Sequence, residues 1–571
     1  MFLFVCRMKI LKKLGLCTAL LLALGGFSRG QQSDVVENKD FEVLKNLEIF
    51  ASAYKGLEMN YVDGVNPGDL IKTALDAMMA TLDPYTVYIP EADIEDVRIM
   101  TEGQYGGIGS LIHYRDGSVY ISEPYEGFPA DRAGLKPGDK ILEVNGESTR
   151  GKNTADVSAM LKGQAGTSLT LLIERPDEPK PFEVTLTRQE IQIKNVTYYG
   201  MLRDSVGYIR QDGFTEGASE EVKQAFLDLK SQGMKYLVFD LRYNGGGLLS
   251  EAVDIVNLFY RKGVPVVSTK GRMASKNHTY YTRETPVDTE IPIVFLTSRG
   301  TASASEILSG SMQDYDRAVL VGERTFGKGL VQNILPLPYN AQMKVTIAKY
   351  YIPSGRCVQA LDYSHKDASG RPLPVPDSLR TAFRTAGGRV VYDGDGIEPD
   401  VAVEVPMVSD VAFSLVTKFW IFDYANRYAK KHEKLGDVAD FVVDEALYAD
   451  FLEFMKDKDY GYKLPSERVL DEFEKAVVAD SCMPAVRAQY EALVKTLADT
   501  KQGDLRRHQE EISAYLREEI ASRYYYQAGR AQAELAGDET VETAIGILLD
   551  QDRYRSLLRP KSAEMNDAVE E

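Results

Sequence analysis

The sequence predicts a multidomain α/β protein, in which helical segments flank a β-rich module and an α/β core. Three changes in residue pattern support this prediction. Residues 101–190 are dense in glycine and in short β-branched runs, residues 191–406 alternate apolar runs with helical periodicity, and residues 407–571 have helical periodicity throughout. A chain of 571 residues is long enough for about three to four domains.

The residue pattern of the N-terminal part predicts a leader followed by helices. Basic residues precede an apolar run from Leu14 to Leu24, and Ser28-Arg29-Gly30 offers small residues for cleavage, so residues 1–30 are typical of a secretory signal peptide. An uncleaved anchor is the alternative, although the run is short for a membrane span. Residues 31–100 then form an N-terminal helical region. We therefore expect an exported protein, periplasmic or associated with the cell envelope.

The β-rich module and the α/β core each contain elements that the residue pattern predicts individually. In the module, the strands are Ser118–Ser122, Lys140–Val144, Leu169–Glu174 and Glu183–Thr187, and the helix is Thr154–Leu161. In the core, continuous apolar runs predict buried parallel strands with helices between them. The strands are Tyr236–Leu241, Ile291–Thr297 and Ala318–Val321, and the helices are Ser219–Leu229, Leu248–Tyr260 and Ser303–Gln313.

Composition excludes several classes of function. The formal net charge of −18 argues against a nucleic-acid partner, which requires concentrated lysine and arginine. Beyond the leader only Cys357 and Cys482 remain, and two widely separated cysteines provide neither metal-ligand spacing nor a disulfide framework. We therefore expect no metal, no cofactor and no nucleic-acid partner.

A serine and a lysine are the most informative residues of the core. Ser303 stands at the expected start of a helix, where outward N–H groups suit a developing oxyanion. Serine chemistry usually needs a base, and none of the five histidines lies close to Ser303 in sequence. Lys328 is flanked by glycines, and burial lowers the pKa of a lysine, so that its neutral amine accepts a proton. This pattern predicts a serine–lysine hydrolase, while an N-cap role for Ser303 and a nucleophilic Ser305 stay open from local sequence.

The segment Gly322 to Gly329 nearly matches a phosphate-binding loop. Gly329 replaces the hydroxyl that would hold Mg²⁺, and Leu330 to Pro336 predicts a strand where such a loop needs a helix. A nucleotide-dependent enzyme is therefore disfavoured.

Two further glycine-rich segments supply clusters of backbone N–H groups. Gly245-Gly246-Gly247 lies between a predicted strand and helix, and suits an anion nest. Gly106-Gly107-Ile108-Gly109 opens the β-rich module, where amide donors can bind a terminal carboxylate and a strand edge can accept a peptide. A structural turn is the alternative for both segments.

Taken in order, these motifs resemble the carboxy-terminal processing peptidases, also called tail-specific proteases. The motifs are Leu82-Asp83-Pro84-Tyr85-Thr86, Gly106-Gly107-Ile108-Gly109, Ala133-Gly134-Leu135-Lys136-Pro137-Gly138-Asp139, Asp240-Leu241-Arg242, the Ser303 and Lys328 segments, and Gly396-Ile397-Glu398-Pro399-Asp400. The resemblance implies a PDZ domain over residues 101–190, a serine–lysine peptidase core over residues 191–406, and a helical C-terminal domain over residues 407–571, whose role stays open.

The resemblance also assigns roles to individual residues. It implies that Ser303, rather than Ser305, is the nucleophile, that Lys328 is the general base, and that Gln332 orients the lysine. The oxyanion hole is then formed by the N–H groups of Gly246 and Ala304, with Gly245 as the neighbouring candidate. The resemblance assigns peptide binding to Gly107, Ile108 and Gly109. Tyr85 stands where histidine is common and Cys357 where serine is common, and we expect neither to touch the chemistry.

The expected function is that of an exported serine endopeptidase, which binds protein or peptide substrates by their C-termini through the PDZ domain. Monomer and homo-oligomer both stay open. The alternative is a catalytically silent peptide-binding scaffold on the same fold. The presence of Ser303, Lys328 and Gln332 together argues against this alternative.

Overall fold

The computed structural model describes residues 30–560, apart from residues 177 and 502. The predicted signal peptide therefore lies outside the described residues, except for its last position. The chain divides into two compact units between Met78 and Met79. No helix within the described residues is long and apolar enough to cross a membrane.

The first unit contains two helices, α1 (Gly30–Asn60) and α2 (Pro67–Ala80), the second of which extends just past the boundary. The Oδ1 atom of Asn66 accepts a hydrogen bond from the N–H of Gly68 at 2.9 Å, which caps the start of α2. The predicted helical character of this region is confirmed.

The second unit begins with a short strand and a helix, and then forms the β-rich module. The elements are β1 (Val87–Ile89), α3 (Ile94–Glu102), β2 (Gln104–Gly107), β3 (Ser110–Arg115), β4 (Ser118–Pro124), α4 (Pro129–Arg132), β5 (Lys140–Val144), β6 (Glu147–Ser148), α5 (Thr154–Leu161), β7 (Ser168–Glu174), β8 (Phe182–Thr187) and β9 (Gln189–Gln192). Strands β3-β4-β5-β7-β8 form one antiparallel sheet in that order, with β6 paired to β5. Strand β3 therefore lies at a sheet edge.

The α/β core follows the module. Its elements are β10 (Val196–Met201), β11 (Val206–Gln211), α6 (Ala218–Ser231), β12 (Tyr236–Asp240), α7 (Leu249–Phe259), β13 (Pro265–Gly271), β14 (His278–Tyr281), β15 (Ile293–Thr297), α8 (Ala304–Asp314), β16 (Val319–Gly322), β17 (Leu330–Pro336), β18 (Gln342–Tyr351), β19 (Leu361–Lys366), β20 (Pro372–Pro374), β21 (Ala382–Arg384), β22 (Val390–Tyr392) and β23 (Val401–Ala402).

Two sheets of the core position the loops of the candidate active site. The six-stranded sheet has the order β10-β11-β12-β15-β16-β23, and all its neighbours from β11 onward run parallel. The second sheet has the order β1-β18-β13-β14, with β17 also paired to β18. The predicted parallel strands are confirmed, although the strand expected from Ile291 begins only at Ile293, because Pro292 lacks the N–H that a ladder bond requires.

The C-terminal part is helical, as predicted. Its helices are α9 (Asp410–Thr417), α10 (Trp420–Lys431), α11 (Glu445–Met455), α12 (Pro465–Ala479), α13 (Met483–Lys501), α14 (Asp504–Arg507), α15 (Gln509–Glu534), α16 (Glu539–Leu549) and α17 (Gln551–Leu557). Helices α9, α10, α11 and α15 build a core of their own around Tyr424, Tyr448 and Phe451.

The last two helices belong to a different layer. Val541, Ile545 and Leu548 of α16 pack against Val238 of β12 and Leu296 of β15, so that α16 and α17 cover one face of the parallel sheet. A division at residue 406 therefore separates two parts of the chain that share one apolar core. The helical periodicity of α16 gave no sign of this partner, because a stripe of apolar residues does not specify which surface will cover it.

Candidate active site

Ser303 lies in the sharp turn between β15 and α8. Its φ angle is +57°, a value that residues other than glycine rarely adopt. Its N–H donates to Glu306 Oε2 at 2.8 Å. Ser305, by contrast, is fully buried within α8 and its hydroxyl donates to the carbonyl of Asn244 at 3.0 Å. Of these two serines, only Ser303 is partly accessible.

The segment that carries Lys328 is bound to the same glutamate. The N–H of Lys328 donates to Glu306 Oε2 at 2.9 Å, and the N–H of Gly327 donates to Glu306 Oε1 at 2.8 Å. Thr325 Oγ1 adds a hydrogen bond to Oε1 at 2.6 Å. One carboxylate thus joins the turn of Ser303 to the segment of Lys328.

Glu306 is fully buried, and burial raises the pKa of its carboxyl group, whereas the hydrogen bonds to Thr325, Lys328, Ser303 and Gly327 oppose that rise. The sequence patterns above do not single out this residue. A signal was present, since Ser303-Ala304-Ser305-Glu306 has the spacing of a capping box, in which the fourth residue bonds back to the first. That spacing predicts the bond to Ser303 but not the bonds to the lysine segment.

The side chain of Lys328 lies in a partly buried pocket. Burial lowers the pKa of its ammonium group to about 8, and the nearby charge of Lys344 adds to the decrease. The Nζ atom lies 4.3 Å from the centroid of the Tyr85 ring. Among the hydrogen bonds of the described residues, none joins Lys328 Nζ to Ser303 Oγ. Glu306 thus holds the backbones of Ser303 and Lys328 together, while the amine of Lys328 contacts the Tyr85 ring.

Tyr85, which was expected to lie away from the proposed chemistry, contacts the candidate base Lys328. The Oδ1 atom of Asp83 accepts hydrogen bonds from the N–H groups of Tyr85 and Thr86, both at 2.8 Å, and this turn presents the ring to Lys328. The contact joins residues far apart in sequence, so no local pattern could indicate it. The other departure, Cys357, has a pKa raised by burial, which favours the neutral thiol.

Gln332, which the resemblance assigns to orienting the lysine, lies on β17. Its Nε2 donates to Oγ1 of Thr346 on the paired strand β18 at 3.1 Å. No hydrogen bond between Gln332 and Lys328 is present among the described residues. The orienting role of Gln332 stays a prediction.

The loop that follows β12 packs directly on the Ser303 turn. Asn244 anchors it, because its carbonyl accepts the N–H of Ala302 at 3.0 Å and its side chain donates to the carbonyl of Gln211 at 2.7 Å. Gly246 has a φ of +91°, and a Cβ there would lie 2.8 Å from Ala304 N and from the Cβ of Ser303. Only glycine fits this position.

The three candidate oxyanion donors differ in their present partners. The N–H of Gly246 donates to Asn244 Oδ1 at 2.9 Å. Within the described residues, the N–H groups of Ala304 and Gly245 have no acceptor, as expected for Ala304 in the first position of a helix. The N–H groups of Ala304 and Gly245 are therefore available to an anion, whereas the N–H of Gly246 must first break its hydrogen bond to Asn244 Oδ1.

The candidate peptide-binding loop lies next to the edge strand β3. The carbonyls of Ile108 and Gly109 accept the N–H groups of Ala130 and Tyr125 at 2.8 and 2.9 Å, which fixes the loop against α4 and against the segment that precedes it. Gly109 has a φ of +70° and a Cβ there would meet Phe128 at 2.5 Å. An edge strand beside a fixed glycine loop can pair with an added strand.

Comparisons with known proteins agree with this architecture. The model of peptidase family S41 matches residues 205–363, a PDZ-domain model matches residues 120–175, and the model described as "Probable PDZ-protease, C-terminal helical domain" matches residues 411–548. The carboxy-terminal-processing protease of Bartonella bacilliformis is 33% identical over 344 residues, which is 60% of this chain and 79% of that protein.

Two solved structures are also similar. The photosystem II D1 C-terminal processing protease is 28% identical, with 62% of this chain and 92% of that chain covered and a TM-score of 0.33. The PDZ domain of the carboxy-terminal protease from Vibrio cholerae, solved with a peptide, is 31% identical, with 16% of this chain and 99% of that chain covered and a TM-score of 0.15.

A PDZ domain, an α/β S41 core and a helical C-terminal domain together define a serine-type peptidase. More particularly, the chain belongs to the family of the carboxy-terminal-processing proteases.

The hydrogen bonds of Glu306 lead to a prediction about stability. Replacement of Glu306 by Gln turns one of the two carboxylate oxygens into an NH₂ group, which cannot accept the hydrogen bonds that now reach that oxygen. Each buried donor that loses its acceptor costs about 1–3 kcal/mol. We expect Glu306→Gln to lower the free energy of unfolding by at least that amount in urea denaturation. The control is Glu323→Gln, since Glu323 pairs at 3.3 Å with an Arg299 side chain that is 86% exposed. Equal unfolding midpoints for the two variants would contradict the role of Glu306.

Proposed function

We propose that this chain is an exported serine endopeptidase, which cleaves by a serine–lysine mechanism after binding its substrate by the C-terminus. The observation that carries the mechanism is the carboxylate of Glu306, which holds the backbones of Ser303 and Lys328 together. The depressed pKa of Lys328, about 8, makes the neutral amine far more populated near neutral pH than it is in a free lysine.

The reaction begins when neutral Lys328 leaves the Tyr85 ring and accepts the proton of Ser303 Oγ. Gln332 orients the amine for this step. The serine oxygen attacks a peptide carbonyl, and the N–H groups of Ala304 and of Gly246 or Gly245 stabilise the oxyanion. One such donor contributes about 3–4 kcal/mol to the transition state. Lys328, now charged, protonates the leaving amine, and water then hydrolyses the acyl-enzyme.

The Tyr85 ring and the burial of Lys328 have opposite effects on the protonation of the lysine. An aromatic face 4.3 Å from the amine stabilises the ammonium form, whereas burial favours the neutral form. In the resting protein the ring therefore holds the side chain in a defined place. A substrate that enters the pocket then competes with the ring for the amine.

Recognition of the substrate C-terminus is assigned to the PDZ domain. The N–H groups of Gly107, Ile108 and Gly109 bind the terminal carboxylate, and the peptide adds as a strand to the free edge of β3. The peptide present in the structure of the Vibrio cholerae PDZ domain supports this assignment. Export to the periplasm or cell envelope is proposed from the leader over residues 1–30.

The catalytic assignment predicts the effect of removing the amine. We expect Lys328→Ala to abolish cleavage of an unfolded protein substrate, with a circular dichroism spectrum and melting temperature like those of the native protein. Lys349→Ala is the matched control, because Lys349 is exposed on the neighbouring strand β18. Cleavage by Lys328→Ala at the rate of the control would refute its role as base.

The charge of Lys344 predicts a shift in the pH profile. Because the neutral amine is the base, kcat/KM should rise with pH through the pKa of Lys328, which is about 8. Lys344 lowers that pKa, so Lys344→Gln should move the rise to higher pH and reduce activity at pH 7. Lys344→Arg keeps the charge and should keep the profile. Identical profiles for the Gln variant and the native protein would contradict this coupling.

The PDZ assignment predicts a preference for a free C-terminus. Two peptides of the same sequence, one ending in a free carboxylate and one in an amide, should differ in KM, because only the carboxylate satisfies the N–H groups of the glycine loop. We expect the amide to have a KM at least about tenfold higher, the effect of losing one charge-assisted contact of roughly 1.5–3 kcal/mol. Equal KM values would exclude recognition of the terminal carboxylate.

A further inference from the structure

The C-terminal helical part carries a row of carboxylates that faces the core. Glu534, Asp538 and Glu542 are spaced four residues apart, and each pairs with an arginine of the core. The partners are Arg210 for Glu534, Arg242 for Asp538 and Arg203 for Glu542. Three separate ion pairs therefore join this part of the chain to the α/β core.

These ion pairs differ in burial. The side chains of Arg203 and Glu542 are 57% and 46% exposed, and such solvated pairs contribute little to stability. Arg242 and Asp538 are only 17% and 14% exposed, with Nη1 of the arginine 2.6 Å from Oδ2 of the aspartate. Removing one partner of a buried pair has a large effect, because it leaves the other charge in a poorly solvated place.

Arg242 connects this ion pair to the candidate active site. Its Nε and Nη2 atoms also donate to Asp240, at the end of β12, at 3.0 and 2.6 Å. The residues immediately after Arg242 form the glycine loop, in which Asn244 bonds to the Ser303 turn and Gly246 packs against Ala304. The guanidinium group thus fixes the first residue of the loop that bears the candidate oxyanion donors.

We propose that Asp538 is a positioning residue for this glycine loop. It supplies the second counter-charge of Arg242, alongside Asp240, and so fixes the place from which the N–H groups of Gly245 and Gly246 are presented to Ser303. The C-terminal segment is then part of the catalytic architecture of the core. This inference rests on the proposed serine–lysine mechanism.

Asp538 also caps helix α16, and this second role determines the choice of variants. Its Oδ1 accepts the N–H groups of Thr540 and Val541 at 2.9 and 3.1 Å. Asparagine caps a helix about as well as aspartate, so Asp538→Asn keeps the cap and removes the charge. Asp538→Glu keeps the charge. Glu542→Gln is the control, because it removes the neighbouring, solvated ion pair of the same helix.

The test measures peptide cleavage and amide hydrogen exchange in the full-length protein. We expect Asp538→Asn to lower kcat by about tenfold to a hundredfold with KM within about twofold, since a misplacement near 1 Å caused by a distant mutation can lower the rate about a hundredfold. Asp538→Glu should retain more activity, and Glu542→Gln should match the native protein. The melting temperature of Asp538→Asn should fall, because Arg242 loses one of its two counter-charges, so cleavage is measured well below that temperature. Asp538→Glu and Glu542→Gln should melt close to the native protein.

Hydrogen exchange separates this inference from the proposed function. In Asp538→Asn, peptides covering residues 242–247 should exchange faster than in the native protein and in Glu542→Gln. Unchanged exchange, or an unchanged kcat in an active native protein, would overturn the positioning role alone. A native protein that cleaves nothing, with faster exchange in Asp538→Asn, would instead refute the proposed mechanism and retain the positioning role.

Discussion

The buried carboxylate of Glu306 is the constraint on which the candidate site depends. It accepts hydrogen bonds from the backbone of Ser303 on one side and from Thr325, Gly327 and Lys328 on the other. A fully buried carboxylate is costly unless its oxygens are satisfied, and here four donors surround it. The hydrogen bonds that satisfy this buried carboxylate also fix the two segments that carry the candidate nucleophile and the candidate base.

The lysine of the site is held by opposing effects. Removal from water favours the neutral amine, whereas the Tyr85 ring and the carboxylates of Glu306 and Asp83 favour the ammonium form. The balance leaves a pKa of about 8, below that of a free lysine yet still above neutral pH. Small changes in pocket charge or solvent access therefore change the population of the basic form.

The core depends on the C-terminal part of the chain as well. Helices α16 and α17 cover one face of the parallel sheet with Val541, Ile545 and Leu548, and a parallel sheet needs apolar cover on both faces. The ion pair between Asp538 and Arg242 lies at the edge of this contact. The glycine loop that follows β12 and the C-terminal segment are thereby connected through packing and charge, although hundreds of residues lie between them in sequence.

Residue patterns predicted most helices and strands of the fold, together with the candidate nucleophile and base. Strands such as β12 and β15 were predictable because their apolar runs reflect burial on both faces. Ser303 was predictable from its place at the start of a helix, Lys328 from its flanking glycines, and both from motifs that resemble one family. Tertiary structure alone decided that Glu306 bridges both segments, that Tyr85 covers the amine, and that α16 packs under the core sheet. The physical reason is that periodicity and spacing report which face of an element is buried, whereas the identity of the partner depends on how distant segments pack.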